Sequence, residues 1–324
     1  MNRYRLSDLG NMVNKRERNR VSTYYKAMAA VIHPDSIVLE IGTGIGFFAM
    51  LACQLGARHV YAVEPNPLIS LGKELAAANG FAKQITFIND VSQSVSLPEL
   101  ADVVISDIRG SLPWLTTHIP TIQDARTRLL NASGVQIPMR DSVQAAIVHA
   151  PEAYDRRIGV WEDSEFGLDL SAARKRIVNV PFKARISAEN LLSQPINWAK
   201  LDYRTITNPD AKGALRFTVN QAGVAHGVSM WFDSELTSGV FISNAPDQPH
   251  NPMYSQTLFP FERPIALEIG DTVHVNVQTK LVNKQYSWIW HTQAYSATGV
   301  EKANFRQSTF WAKQWGSLNR TATF

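Results

Sequence analysis

Ile37-Val38-Leu39-Glu40-Ile41-Gly42-Thr43-Gly44-Ile45-Gly46-Phe47-Phe48 decides the fold. An apolar, β-branched run breaks into three glycines at alternate positions and then resumes as an apolar helix former. That order predicts the first strand, tight turn and first helix of a nucleotide-binding α/β domain. Glycines so spaced let the backbone pass close under a ligand, with amide groups and a helix N-terminus turned towards it. A dinucleotide fingerprint spaces its glycines G-x-G-x-x-G, whereas this turn reads G-T-G-I-G.

Working outward, the pattern from 36 to 106 alternates between strand and helix. Strand 37–41 precedes the glycine turn, and a helix over 47–55 stops at Gly56. Strand 59–63 ends at Glu64. A helix over about 67–79 is closed by Asn79-Gly80. Strand 85–88 ends at Asn89-Asp90, and strand 102–106 ends at Asp107. Such alternation means βαβ units and a parallel sheet buried on both faces. Ligands of these sheets bind at the carboxyl ends of the strands. Gly42, Glu64, Asp90 and Asp107 therefore gather on one edge. A loop at Arg109–Trp114 follows, then a helix over about 119–130 closed by Asn131-Ala132-Ser133-Gly134. Upstream, residues 11–31 read as one or two helices around a basic middle.

Past Pro138 the texture changes to short alternating strands at 143–149, 214–219, 226–232, 239–243, 266–269, 272–278 and 286–291, after a first at 135–137. Pro, Gly and Asn/Asp signals separate them, which predicts an antiparallel β domain. Residues 151–205 read as irregular and partly helical, too long for a simple hairpin loop. Trp161, Phe166, Leu168 and Leu170 lie there in a polar context, as a docking arm would place them. The tail carries Phe305, Phe310, Trp311 and Trp315 and ends abruptly at Phe324.

The 324 residues are 45% hydrophobic and 19% charged, enough for two domains with real cores. A net charge of +4 is too mild to argue for nucleic acid. One cysteine, Cys53, leaves no disulfide framework and no cysteine-rich metal site within the chain, and the histidines show no metal-ligand spacing. The first ten residues lack an apolar signal core, and no apolar run approaches the roughly 20 residues of a membrane span. A cytoplasmic protein with no metal, membrane or nucleic-acid partner is the expectation.

With Glu40 two residues before its first glycine, the turn resembles motif I of the class I S-adenosylmethionine-dependent methyltransferases. The resemblance narrows to the protein arginine methyltransferases on Asp102–Gly110 (DVVISDIRG), Arg126–Pro138 (RTRLLNASGVQIP), Trp161–Leu170 (WEDSEFGLDL) and Tyr254–Phe259 (YSQTLF). It runs from about residue 4 to 310 and is strongest over 36–140. It implies an α/β Rossmann-like domain (1–137) with a mostly parallel sheet, then an antiparallel β-barrel domain (138–324). A helical arm of about 161–190, inserted in the barrel, would dock a second subunit into a homodimer.

The resemblance also implies a site. Glu40, Gly42, Thr43, Gly44 and Gly46 would wrap the methionine part of S-adenosylmethionine. Glu64, 22 residues beyond Gly42, would take both ribose hydroxyls, with Pro65 beside it. Asp90, Val91 and Ser92 sit where the family binds adenine. An arginine of the first helix would meet the cofactor carboxylate; spacing from Met12 gives Arg18, spacing back from Tyr24 gives Arg20, and Arg18 is preferred. Tyr4 falls where the family closes aromatics over the cofactor.

The chain departs from that family where a substrate guanidinium would be clamped by two glutamates. The first position is Asp107, a shorter carboxylate, and the second falls at about Thr116 with no acid nearby. The family's Thr-His-Trp loop falls at Pro252-Met253-Tyr254. A guanidinium is a planar five-donor fork that asks for paired acceptors. The expected function is thus methyl transfer to an N or O nucleophile of a small molecule or peptide. Asp107 and His118 are the candidate bases, and Tyr254 and Trp114 candidate pocket walls. Two alternatives stand: protein arginine methylation with an altered clamp, and a non-catalytic cofactor-binding dimerisation partner.

Overall fold

The computed structural model describes residues 18–162, 166–248 and 254–313. Tyr4, Met12, Pro252, Met253 and Trp315 lie outside them.

The first layer is a five-stranded parallel sheet in the order β3-β2-β1-β4-β5. Its strands are β1 (Ile37–Ile41), β2 (His59–Val63), β3 (Ile85–Ile88), β4 (Ala101–Ser106) and β5 (Leu130–Ile137). Helices α1 (Arg18–Ala29), α2 (Phe47–Gln54), α3 (Ile69–Ala78) and α4 (His118–Arg128) accompany them. All five residues of β1 are buried, because both faces of the sheet are covered. Alternate residues divide between two cores: Val38, Val60 and Val103 pack on one side, and Leu39, Tyr61 and Val104 on the other. The strand order reverses direction at β1, between β2 and β4, which opens a crevice beyond the glycine turn.

Asn131–Gly134 is not a helix terminator, as the composition suggested; it lies inside β5. The Asn131 amide is claimed by the Asp102 carboxylate across the strand pair. Gly134 leaves out a side chain whose Cβ would stand 2.4 Å from Leu130 Cδ1. The pairing with β4 shifts register over the same stretch, which is how a turn-like composition fits a strand.

β5 ends at Ile137, and the Ile137–Pro138 peptide is cis. The second layer then begins with β6 (Arg140–Val148). One antiparallel sheet runs β7-β12-β10-β6-β8, with β11 (Val240–Ser243) paired to β10 (Gly223–Thr237). The other runs β15-β14-β13-β9. Phe259 of β12 (Gln256–Leu267) meets Trp288 and Trp290 of β14 (Gln285–Tyr295) edge-on, and Phe261 meets Phe305 of β15 (Glu301–Ser308). The two sheets thus pack face to face around an aromatic interior.

Several strands escaped the sequence pattern. β7 (Phe182–Ala184) and β8 (Ile196–Asp202) lie within the stretch read as irregular, so the non-sheet part of the arm is shorter than 161–190. It holds a 3₁₀ turn at Gly159–Trp161 and helix α6 (Ser171–Ile177), and follows α5 (Pro151–Arg157). β12 was legible only at 266–267, since Pro260 and Pro264 read as breakers. Both prolines lie beyond Gln256–Leu258, the part of β12 that β7 pairs, so their missing N–H groups break no ladder there. Completing the second sheet, β9 spans Ala211–Thr218 and β13 spans Thr272–Val282, and β15 runs straight into the short helix α7 (Thr309–Lys313).

Candidate active site

The glycine turn is held onto the end of β2: Gly42 and Thr43 donate their N–H groups to the Val63 carbonyl at 2.8 and 3.1 Å. Gly42, Gly44 and Gly46 have φ of 77°, 57° and 77°, a region that L side chains rarely adopt. A Cβ on Gly42 would stand 2.2 Å from Ile108 Cγ2, and one on Gly46 2.9 Å from the Phe87 ring. The turn therefore needs glycine for conformation and for space at both positions.

Two carboxylates brace the turn. Thr43 Oγ1 donates to Glu40 Oε2 at 2.5 Å. Glu40 is buried, and burial pushes its carboxyl up to about 8 against the opposing bond from Thr43. Glu64 Oε2 accepts the Gly44 N–H at 3.1 Å, and its Oε1 accepts the Asn66 N–H at 2.9 Å. The Glu64 carboxylate is thus fixed at the crevice by backbone donors, with lone pairs left over. Pro65, Asp90 and Val91 are exposed beside it. Asp90 accepts the Val91 N–H at 2.7 Å. Ser92 turns inward, and its hydroxyl is buried without a hydrogen-bond partner among the described residues.

The first helix presents Arg20 to the site, not Arg18. Arg18 is exposed, whereas Arg20 is 2% exposed and its Nη1 lies 2.7 Å from Asp107 Oδ2. Two residues along a helix turn a side chain by about 200°, so only one of the pair can face inward. Arg20 shares its face with Tyr24, four residues on. Its guanidinium also lies over the Phe48 ring at 5.4 Å.

Asp107, just past β4, is the hub. Tyr24 donates its hydroxyl to Oδ1 at 3.0 Å, and Tyr254, from the barrel side, donates to the same oxygen. Burial, then the Asp107 charge, pushes both phenols well above their ordinary range, so they remain donors.

Arg109 was read only as part of a loop and is the main residue that sequence reasoning missed. Its side chain is fully buried, with Nη1 2.6 Å from Asp141 and 2.8 Å from Ser234. Nη2 reaches Tyr24 at 3.3 Å, and the guanidinium stacks over Phe232 at 4.3 Å. Burial opposes its charge, but Asp141 and the neighbouring tyrosines and Asp107 more than offset this, raising it well above the usual arginine range. Asp141 is bound in turn by the Tyr203 hydroxyl at 2.5 Å, and Tyr203 meets His118 at 3.3 Å.

His118 is therefore not beside Asp107 as a base. It is wholly buried behind the site, at the start of α4, and burial lowers its imidazole to about 4. Trp114 is likewise a buried anchor, stacked on Trp198 at 4.9 Å and edge-on to Trp288 at 5.6 Å. Thr116 stands two residues on, with φ of 44°. The loop from Asp107 to Thr117 offers Asp107 as its only carboxylate.

Two protein families match different stretches of the chain. The ribosomal protein L11 methyltransferase family (PrmA) matches residues 23–149, and the arginine methyltransferase oligomerization subdomain matches residues 141–294. Across these two parts the chain is similar to the class I methyltransferases and, within them, to the protein arginine methyltransferases. Mouse protein arginine N-methyltransferase 2 is 31% identical over 255 residues, 74% of this chain and 56% of that protein. Protein arginine N-methyltransferase 1 of Saccharomyces cerevisiae is 27% identical over 247 residues, 74% of this chain and 70% of that protein. The chain thus spans little more than half of the mouse relative. Among solved structures, the Trypanosoma brucei PRMT1 enzyme-prozyme heterotetrameric complex with AdoHcy superposes with a TM-score of 0.81 at 19% identity, covering 90% of this chain and 94% of that one. Arabidopsis thaliana protein arginine methyltransferase 10 superposes at 0.79 with 20% identity, covering 94% and 97%. Both share the parallel-sheet domain followed by the β-barrel domain.

Proposed function

We propose that this chain binds S-adenosylmethionine and transfers its methyl group to a nitrogen or oxygen nucleophile on a small molecule or peptide. The observation that carries the reading is the cradle itself. Three glycines in the left-handed region face a Glu64 carboxylate pinned by two backbone amides, with the Arg20 guanidinium nearby. The donor set fits the cofactor: Glu64 for the ribose hydroxyls, Arg20 for a carboxylate, and the turn amides beneath the methionine part. When bound, S-adenosylmethionine supplies an electrophilic methyl on a sulfonium. The chain's own work is to hold an attacking lone pair in line at roughly 3 Å and to exclude water. Asp107 is the acceptor-side group, able to orient an N–H or O–H and take its proton.

The names of the relatives favour a second reading, protein arginine methylation with an altered clamp. Against it, the carboxylate oxygens of Asp107 already accept from Arg20, Tyr24 and Tyr254, and Thr116 supplies no acceptor charge. The exposed Phe166 and Leu168 of the arm support assembly as a homodimer.

Calorimetry with S-adenosylhomocysteine tests the cofactor reading. We expect binding, weakened by at least about tenfold in Glu64→Ala, in line with loss of charge-assisted hydrogen bonds. No binding to the native chain overturns it. Tritium transfer to a cell extract and to an arginine-glycine-rich peptide separates the rest: a labelled peptide establishes the second reading, and binding without turnover makes the chain a non-catalytic partner.

A further inference from the structure

The loop after Asp107 forms one wall of a groove of about 1480 Å³, whose opposite walls come from the barrel sheet, α5 and β7. The charge of that lining is one-sided. Arg156, Arg157, Lys183 and Arg185 line it, and among the described residues Glu152 is the only carboxylate that does. Among the described residues, Arg156, Arg157 and Arg185 enter no ion pair. Arg157 is oriented by the Phe182 ring beneath its guanidinium, at 5.9 Å. Aromatic side chains, Trp114 and Trp288 among them, form the apolar floor.

A wall of this kind repels a cationic ligand and draws an anionic one, because like charges brought together in a partly desolvated groove repel strongly while opposite charges steer association. The acceptor end agrees with the wall. Asp107 is already paired with Arg20, and Arg109 stands behind it, so the loop offers a guanidinium or ammonium side chain little uncompensated negative charge. The volume exceeds the few hundred to about 1,000 Å³ of an ordinary small-molecule site and suits an extended chain.

We infer that the groove takes an acidic peptide, with carboxylate side chains over Arg156, Arg157, Lys183 and Arg185 and the methyl-acceptor residue carried towards the Asp107 loop. This rests on the methyl-transfer reading for the acceptor's fate, but the binding itself does not.

Fluorescence anisotropy on the full chain tests it, with labelled dodecapeptides of Glu, Tyr and Gly and of Lys, Tyr and Gly, and a twelve-base single-stranded DNA. The acidic peptide should bind at least about tenfold more tightly than the basic one, with the gap closing at high salt. Arg156→Glu/Arg185→Glu should weaken it by at least about tenfold, and the milder Arg156→Gln/Arg185→Gln by a smaller factor in the same direction. Equal or tighter binding of the basic peptide, tighter binding of the DNA, or indifference of the acidic peptide to both variants overturns the proposal. S-adenosylhomocysteine calorimetry on the same samples keeps the two readings apart. Variants that lose the peptide but keep S-adenosylhomocysteine are folded and confirm the groove. A native chain that binds the peptide without S-adenosylhomocysteine removes the methyl-transfer reading alone.

Discussion

At the scale of single residues, the site joins what a sequence displays to what it hides. Glu64 and Asp107 were legible because each lies just past the end of a strand of a parallel sheet, where topology collects ligand-facing groups, and Glu40 through its place before the glycine turn in the family motif. Tyr254 came only through family resemblance, and the structure sets its hydroxyl on Asp107. Arg109 was not legible, since an arginine in a loop beside glycine and serine reads as solvated. Only the fold shows that it is sealed against Asp141 with neither side chain exposed. Removing one partner of such a pair leaves the other charge buried. Arg109→Met should therefore cost about 3–5 kcal/mol in urea unfolding, and Asp141→Asn a comparable amount. The double variant should cost much less than the sum, which a double-mutant cycle reads directly. Additive losses would mean that the two side chains act independently.

From β1 to α4 the elements matched their expected bounds to within a residue or two, because glycines punctuate the apolar runs there, whereas β5, expected at 135–137, begins at Leu130. The barrel strands did not match theirs, because prolines in β12 and a polar composition in β8 mimic loops, and only the pairing partners resolve them. The acceptor loop between β4 and α4 sits between these cases. Its sequence shows the missing second acid but not the anchor, Trp114, wedged against Trp198 and Trp288. Trp114→Ala should remove about 3–5 kcal/mol of stability by opening a cavity between the domains. Hydrogen exchange should then quicken across residues 110–117 while β1 and β2 remain protected. Unchanged exchange in that loop would show that other contacts hold it.

For the molecule as a whole, two buried groups set opposing pH dependences. Glu40 moves from 4.5 to about 8 on folding, so the folded chain holds an extra proton and stability falls as pH rises between those values. His118 moves from 6.5 to about 4, so stability falls as pH drops from 6.5 to 4. Their slopes offset each other between about 4.5 and 6.5, leaving a decline of up to about 2 kcal/mol from pH 6.5 to 8. Glu40→Gln should abolish that decline and leave stability rising from pH 4 to 6.5, as chemical unfolding across the range would report. A persistent decline in the variant would assign it to another group. Assembly is the second property at this scale: Leu168→Arg should turn a dimer into a monomer by light scattering, and an unchanged mass would exclude the arm as the contact.

The Tyr254 hydroxyl on Asp107 also bears on modularity. A barrel-borne side chain completes a carboxylate that belongs to the cofactor domain, and one apolar cluster runs without a break from Tyr24 and Phe48 through Trp114 to Trp288. The two domains therefore cannot be exchanged as independent cassettes. A chimera that gives this cofactor domain a foreign barrel must bring its own donor to Asp107 and its own aromatic floor beneath Trp114. Without them, the graft exposes core and misdirects the acceptor carboxylate even when each parent folds well alone.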